Sequence, residues 1–403
     1  MFRKIPNEWM ADHLFVLVGG NPLPNYVAGK LLLKAGDAIH LIHSPGTASV
    51  ANRLAKCFEH SYSHEIQNPS NGGEIGDVIQ AALAQIPGNA DVGLHYTGGT
   101  KAMAVHAHSA FKRGMAKRGS KGVLTYLDAA TLSLLRDDEW NPVSVQFAIT
   151  PELETLLQLH GIQLQHPPKR EVWFPELNQA LAQAHRSVEG QKAYDSWCQN
   201  LRREKDGQLA RRQRDLSTPT IPYPTDPALG EVAEVMRKTF EKGGCVFDPM
   251  AVIGNWTVGP KNMKELIRYL DGVWVEHLVL QTFIEISTSC GLHDYGMSLD
   301  TTNDQYDFEF DVAAMQGYQL CAVSCTRNAT RRLNKSKLFE ATIRATQLGG
   351  DEARVGLVCC EKDPEILENQ VTKLWGAERG KIRVFGSSDL TNLSERFSQW
   401  LSC

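Results

Sequence analysis

The sequence lacks the features that would place it in a membrane or outside the cell. No apolar run is long enough to span a bilayer, and the first residues lead into no signal-peptide core. The nine cysteines are odd in number and scattered, without a Cys-x-x-Cys pair. This usage argues against a disulfide framework and against a zinc site. We therefore expect a cytoplasmic protein with reduced thiols.

Net charge is also small. A formal charge of −4 gives no overall attraction to nucleic acid or to anionic lipid, so any such binding must come from a local patch. The 403 residues and the hydrophobic content of 42% are those of a globular protein with two or three domains.

The first 150 residues alternate strand signals with helix signals. The alternation predicts a doubly wound, Rossmann-like parallel sheet, whose ligands bind at the carboxyl ends of the strands. Turns after the first three predicted strands would then meet at one edge and form one site. These turns are Gly19-Gly20-Asn21, Ser44-Pro45-Gly46-Thr47 and Thr97-Gly98-Gly99-Thr100.

The third of these turns is the most informative. A strand over 92–95 ends at Gly98-Gly99, and a helix is predicted to begin at Thr100 or Lys101. Glycines let backbone N–H groups approach a ligand, the helix N-terminus carries partial positive charge, and Lys101 adds a full one. These features suit a phosphate group, although the Walker spacing is absent. A plain strand-to-helix turn is the alternative interpretation.

Residues 151–228 have a different pattern. Two helices are predicted, over 151–160 and 175–200, and a charged stretch runs from 202 to 214. Four prolines follow between 217 and 227. This pattern predicts a helical linker with a charged arm. Strand and helix signals resume at 229, beginning with a long predicted helix over 262–286.

Acidic residues mark the second α/β region. In the strand predicted over 307–313, alternation places Asp307, Glu309 and Asp311 on one face. Glu276 lies among apolar residues of the long helix, where a carboxylate is costly unless it is paired or bound to metal. Carboxylates converging on one face suit Mg²⁺ or Mn²⁺. A solvated acidic edge strand and a surface glutamate remain the alternative.

A basic run follows the next predicted strand, on which Ser324 and Thr326 share a face. Cations at the start of a helix are not favoured by its dipole, so the run indicates phosphate neutralisation or, alternatively, solvated surface charge. A single glutamate, Glu340, follows one turn later. The run consists of Arg327, Arg331, Arg332, Lys335 and Lys337.

Taken together, these motifs resemble a two-part family. The amino-terminal part resembles the CRISPR-associated Rossmann-fold (CARF) sensor domain. The carboxy-terminal part is similar to the PD-(D/E)xK restriction-endonuclease-like domain of type III CRISPR accessory nucleases. The sensor motifs are Val18-Gly19-Gly20-Asn21, His43-Ser44-Pro45 and 95–103, and the nuclease motifs are 272–276, Glu309-Phe310-Asp311-Val312 and 337–350.

The resemblance implies a homodimer that binds a cyclic oligoadenylate, most often the tetra-adenylate, and then cleaves DNA or RNA with a divalent metal. It implies a sensor over 1–150, the linker over 151–228 and an effector over 229–403. The ligand-binding residues that it implies are Gly19, Asn21, Ser44, Thr47, Thr97, Gly98, Gly99, Thr100 and Lys101.

The nuclease motif departs from the family pattern. Ser324 and Thr326 stand where the family carries a Glu and a Lys. Either both functions have moved to the next helix, as Lys337 and Glu340, or catalysis has been lost. We favour relocation, with Glu276 and Asp311 as metal ligands. The remaining hypotheses are a non-catalytic regulatory sensor and a sensor that degrades its own ligand.

Overall fold

The computed structural model describes residues 5–199, 220–240, 246–248, 253, 256–300, 309–375 and 380–402. The charged arm over 202–214 and Asp307, both singled out in the sequence, lie outside these residues. Among the described helices, none combines the length and apolar character needed to cross a bilayer.

The amino-terminal part forms a seven-stranded sheet in the order β3-β2-β1-β4-β5-β6-β7. The first five strands in this order are parallel, and β6 and β7 are antiparallel additions. The expected Rossmann-like sheet is therefore confirmed. Its strands are β1 (Ala11–Leu17), β2 (Leu33–His43), β3 (His60–Glu65), β4 (Val92–His95), β5 (Val123–Asp128), β6 (Ser133–Arg136) and β7 (Glu139–Ser144).

Helices cover both faces of this sheet because successive side chains of each strand point to opposite sides. On one face Leu14 and Val16 of β1 pack against the first two helices. On the other face Phe15 and Leu17 pack against the next two. These helices are α1 (Leu23–Leu32), α2 (Ala48–Ala55), α3 (Gly72–Ala84) and α4 (Lys101–Lys117).

The stretch expected to be a helical linker is packed more extensively than a linker. It contains α5 (Leu153–Leu159), α6 (Pro175–His185) and α7 (Val188–Gln199). Leu177 and Tyr194 lie in the same hydrophobic cluster as Trp274 of the carboxy-terminal part. The physical reason is the apolar face of α6, which must be buried against another element.

The carboxy-terminal part is built on a five-stranded sheet in the order β10-β11-β12-β13-β14. The pairs β10/β11 and β11/β12 are antiparallel, and the other two are parallel. The bounds are β10 (Leu292–Asp300), β11 (Glu309–Gln316), β12 (Gln319–Cys325), β13 (Arg354–Val358) and β14 (Ile382–Phe385). A separate two-stranded sheet pairs β8 (Ile221–Pro222) with β9 (Val246–Phe247).

Helices pack around this second sheet. The long helix predicted over 262–286 is divided by a π-helical segment, Tyr269–Val273, which opens a wider turn just before Glu276. The helices are α8 (Gly230–Phe240), α9 (Met263–Arg268), α10 (Trp274–Cys290), α11 (Arg331–Gly349), α12 (Pro364–Trp375) and α13 (Leu393–Leu401).

The two sheets are joined by apolar and polar contacts. One hydrophobic cluster runs from Leu14 of β1 through Leu156 of α5 to Tyr318 and Leu348 of the second part. The Tyr318 backbone N–H donates to the Gln146 carbonyl at 3.0 Å. The amino-terminal sheet is therefore not a separately tethered unit.

Glu352 lies at this junction and should make stability depend on pH. It is buried, and burial raises the pKa of its carboxyl to about 7 from a reference value of 4.5. The folded protein thus binds an extra proton between these values, and stability falls as pH rises through this window. Glu352→Gln should add about 3 kcal/mol to the free energy of unfolding at pH 8 and little at pH 4. Denaturant unfolding at both pH values tests this, and an equal gain at both would contradict it.

Candidate functional site

At the carboxyl edge of the first sheet, two glycine turns touch each other. A methyl group on Gly19 would lie 3.0 Å from the Gly99 nitrogen, and one on Gly98 would collide with the Leu17 carbonyl oxygen. Gly99 has a φ of +74°. Asn25, buried in α1, donates to the same Leu17 carbonyl at 2.9 Å. These approaches bring the first and third predicted turns together, as expected for strands adjacent in the sheet.

Most of the hydroxyl groups expected to bind ligand already hold their own turns. Thr97 Oγ1 accepts a 2.6 Å bond from the Leu127 N–H. Thr100 caps α4 by accepting from Met103 N at 3.1 Å. Thr47 Oγ1 accepts from the Ser44 N–H at 3.1 Å. These hydroxyls therefore shape the turns whatever else they contact.

Asn21 and Lys101 stand at the mouth of this edge. Asn21 Oδ1 accepts from the Leu23 N–H at 3.0 Å, which fixes the start of α1. Lys101 is the exposed first residue of α4, where the helix N-terminus is partly positive. The turn geometry therefore concentrates backbone donors and a cation at one place.

In the second sheet, Asp311 of β11 is held by the neighbouring strand. Its Oδ2 accepts a 2.8 Å bond from Ser324 Oγ and a 2.6 Å bond from the Cys325 N–H. The register that pairs Val312 with Val323 places Asp311 opposite Ser324. The Ser324 hydroxyl thus fixes the orientation of the Asp311 carboxylate.

Lys337 reaches the same carboxylate from α11. Its Nζ lies 3.6 Å from Asp311 Oδ2 and donates to the Cys325 carbonyl at 3.2 Å. The Asp311 side chain is 13% exposed and that of Lys337 is 44% exposed. Lys337 therefore stands on the open side of a carboxylate that is itself largely buried. The expectation that a helix lysine comes back to this strand face matches the observed position.

Glu276 acts electrostatically at the same strand end, whereas Glu340 has no recorded contact there among the described residues. Burial raises the pKa of the Cys325 thiol, and the Asp311 and Glu276 carboxylates raise it further, whereas Lys337 lowers it. Three charged side chains thus act on one buried thiol. Glu340 is exposed on the next turn of α11, and within the described ranges the structure records no contact between it and Asp311.

Two arginines of the basic run are engaged in structural pairs. Arg327, with a side chain 15% exposed, pairs with Asp271 at 3.1 Å and also contacts Asp195. Arg331 pairs with Glu361 at 2.9 Å. Their charges tie α11 and the end of β12 to neighbouring elements, and phosphate binding by either arginine stays a prediction.

A divalent metal fits the donor set at Asp311 only in an open arrangement. Among the described residues, no three His, Cys, Asp or Glu side chains form a closed metal cage. Asp311 and Glu276 provide two hard oxygen donors near one strand end. Mg²⁺ characteristically binds one or two protein carboxylates and completes its coordination with water and substrate phosphates. The residues present therefore fit such an ion.

Comparison with known proteins bears on this region directly. Residues 263–403 match the family model of the Card1-like endonuclease domain. The predicted nuclease resemblance is confirmed. The matched segment contains Glu276, Asp311, Lys337 and Glu340, so every proposed catalytic residue lies inside the Card1-like region. No curated protein matches the sequence.

Solved structures share the whole fold. Can2 from Sulfobacillus thermosulfidooxidans, solved with cyclic tetra-adenylate, is 15% identical with a TM-score of 0.69, over 97% of this chain and 99% of that chain. Protein VC1899 from Vibrio cholerae is 16% identical with a TM-score of 0.70, over 97% and 98%. These similarities cover the amino-terminal sheet as well as the Card1-like region, and they confirm the two-part fold.

Sequence reasoning missed three polar residues near the carboxyl edge of the first sheet. Asn25 could have been noticed as an amide among the apolar residues of α1. Arg53 of α2 and Arg344 of α11 gave no signal, because they come together only when the two parts pack.

Proposed function

We propose that this chain is an endonuclease of type III CRISPR defence that a cyclic oligoadenylate activates and that requires a divalent metal. The observation that supports it most strongly is the contact of Lys337 with Asp311 inside a Card1-like endonuclease domain. A cation on the open side of a buried carboxylate is not expected in a site that has lost catalysis. The alternative of a purely regulatory protein is accordingly not favoured.

The amino-terminal sheet would bind the activator, as the cyclic tetra-adenylate complex of Can2 suggests. Backbone N–H groups at Gly98, Gly99 and the start of α4 would donate to phosphate oxygens. Lys101 would add its charge, and Asn21 would offer its side-chain amide. Gly19 allows the first turn to come this close, whereas Thr97, Thr100, Ser44 and Thr47 would complete the pocket mainly by holding the turns.

In the site of the carboxy-terminal sheet, Asp311 and Glu276 would hold Mg²⁺ or Mn²⁺, and Ser324 would orient Asp311. The metal would polarise the phosphoryl oxygen and acidify its bound water. Lys337 would neutralise the charge that develops on the scissile phosphate, because its ammonium group lies beside Asp311 on the open side. Glu340 would assist from the next turn of α11. The substrate would be DNA, RNA or both.

We also propose a homodimer, because a ring of repeated phosphates fits an isologous interface that presents the same turns twice. The assembly would work in the cytoplasm, where its cysteines stay reduced. We propose a sensor over 1–150 and an effector that includes α6 and α7 as well as residues 229–403. Light scattering on the purified protein, with and without activator, tests the dimer.

One experiment separates the two candidate functions. Purified protein is incubated with Mn²⁺ and with labelled single-stranded and supercoiled DNA and RNA, in the presence and absence of each cyclic oligoadenylate. We expect cleavage that depends on one ring size. Tight ligand binding without cleavage of any substrate would instead support the regulatory protein, and no binding would contradict both.

The role of Lys337 can be tested against its neighbour. Lys337→Met should reduce ligand-activated cleavage by about a hundredfold, because one electrostatic stabiliser of the transition state is lost. Lys335 lies on the same helix with its Nζ over the Phe339 ring at 5.8 Å, so Lys335→Met is the matched control. Initial cleavage rates at saturating activator provide the comparison. Equal losses in both variants would contradict the assignment.

A further inference from the structure

A cavity of about 790 Å³ lies where the sensor edge meets the effector. One wall comes from the first two sensor turns and from α2, and the other from the end of α11. Its polar lining includes two arginines, one from each part of the chain. The lining residues that matter are Gly20, Asn21, Gly46, Arg53, Arg344 and Gln347.

Arg53 is fixed in this wall by the segment that follows α5. Its Nε donates to the Leu159 carbonyl at 2.7 Å. A methyl group on Gly161, which has a φ of +74°, would lie 3.1 Å from one guanidinium nitrogen. The positive φ favours glycine here, and the absence of a side chain lets the guanidinium group lie close to this backbone. Arg53 is therefore oriented before any ligand arrives.

The opposite wall of the cavity is fixed by His160, the residue before Gly161. His160 Nε2 donates to the Leu348 carbonyl of α11 at 2.9 Å. Burial lowers the pKa of His160 to about 4, so the ring is neutral at physiological pH and adds no positive charge to the cavity. Beyond the helix, a methyl group on Gly350 would lie 2.6 Å from Asn21 Nδ2. The end of α11 thus contacts the first sensor turn directly.

Arg344 extends from this end of α11 into the cavity and donates to Gln347 at 3.3 Å. Guanidinium groups are well suited to phosphate because they offer two parallel donors. Arg344 and Arg53 face the same space as the sensor turns Gly20-Asn21 and Gly46. An anionic ligand bound at those turns would lie near both guanidinium groups.

We propose that a phosphate of the cyclic oligoadenylate binds in this cavity between Arg53 of the sensor and Arg344 of the effector. This inference rests on the proposed function and specifies how the activator reaches the nuclease. Arg344 and Lys337 belong to one helix and are separated by seven residues, about 10 Å along its axis. A ligand that contacts Arg344 therefore acts on the same rigid element that places Lys337 beside Asp311.

The test measures the affinity of cyclic tetra-adenylate by calorimetry for the wild type and for Arg344→Ala, Arg344→Lys and Arg113→Ala. Arg113 is exposed on α4, on the opposite face of the sensor sheet, and serves as the control for loss of one charge. We expect Arg344→Ala to weaken binding at least about tenfold, as befits a charge-assisted contact. Arg344→Lys should retain part of the affinity, and Arg113→Ala all of it.

The outcomes separate this inference from the proposed function. If the wild type binds the ring and Arg344→Ala binds it equally well, the inference is wrong and the proposed function stands. If the wild type binds no ring, both are wrong. The activator concentration for half-maximal cleavage should rise in Arg344→Ala by the same factor as the dissociation constant. Melting curves confirm that each variant is folded, and Arg344→Lys preserves the helix surface should the alanine variant unfold.

Discussion

Asp311→Asn should abolish metal-dependent cleavage while cyclic oligoadenylate binding remains at its wild-type level. Metal-ion catalysis supplies several kcal/mol of charge stabilisation, and each 1.36 kcal/mol corresponds to a factor of ten in rate. Loss of the carboxylate charge should therefore reduce the cleavage rate by about a thousandfold. The measurement is the single-turnover rate of cleavage with Mn²⁺ at saturating activator, paired with calorimetry of activator binding.

Asparagine is the informative replacement because it preserves the local hydrogen bonds. Its amide oxygen can still accept from the Ser324 hydroxyl and the Cys325 N–H, so the fold should be retained. Asp351→Asn makes the same change at an exposed carboxylate of the same domain and should cleave normally. Wild-type cleavage by Asp311→Asn would show that the catalytic centre lies elsewhere.

Gly98→Ala should disrupt the sensor edge. A methyl group at this position would collide with the Leu17 carbonyl oxygen, which belongs to β1 and is fixed by Asn25. Because the Leu17 carbonyl oxygen is a backbone atom and not the free end of a flexible side chain, the backbone itself must move. We expect a cost of about 1–3 kcal/mol in stability, as for other overpacked sites, and a loss of activator binding. Chemical denaturation and calorimetry measure the two effects.

Gly20→Ala is the matched control for the effect on stability. A methyl group on Gly20 meets nothing within 4 Å, so stability should change by less than about 0.5 kcal/mol. Both changes add the same atom to the same sheet edge, and only their surroundings differ. If both variants bind the ring like the wild type, the contact between the first and third turns has no part in binding.

The sequence was sufficient for the parts of the fold that follow from apolar patterning. Runs such as 15–18 and 92–95 are buried on both faces, as in a parallel sheet, and the glycine turns end them. Strand β3 was missed because its residues are mostly exposed and polar, so it has no apolar signal. The π-helical segment before Glu276 was missed because Tyr269, Leu270 and Val273 continue the apolar spacing of the flanking helices.

The candidate nuclease site was only partly accessible to sequence reasoning. Asp311 was predicted from strand alternation and Lys337 from the family resemblance, but their 3.6 Å contact depends on how α11 packs on β12. The ion pairs of Arg327 were not predicted, because its partners Asp195 and Asp271 are distant in sequence. Pairings across separate elements are decided by tertiary packing, which a single sequence does not encode locally.

The hydrophobic cluster that runs from Leu14 through Leu156 to Tyr318 has a consequence for protein engineering. A chimera that exchanges the amino-terminal part of the chain requires a cut between the two parts. Here a cut after residue 150 would separate Leu156 from the partners that shield it on both sides. A transplantable amino-terminal cassette from this protein must therefore retain α5 and supply a substitute for the apolar surface around Tyr318.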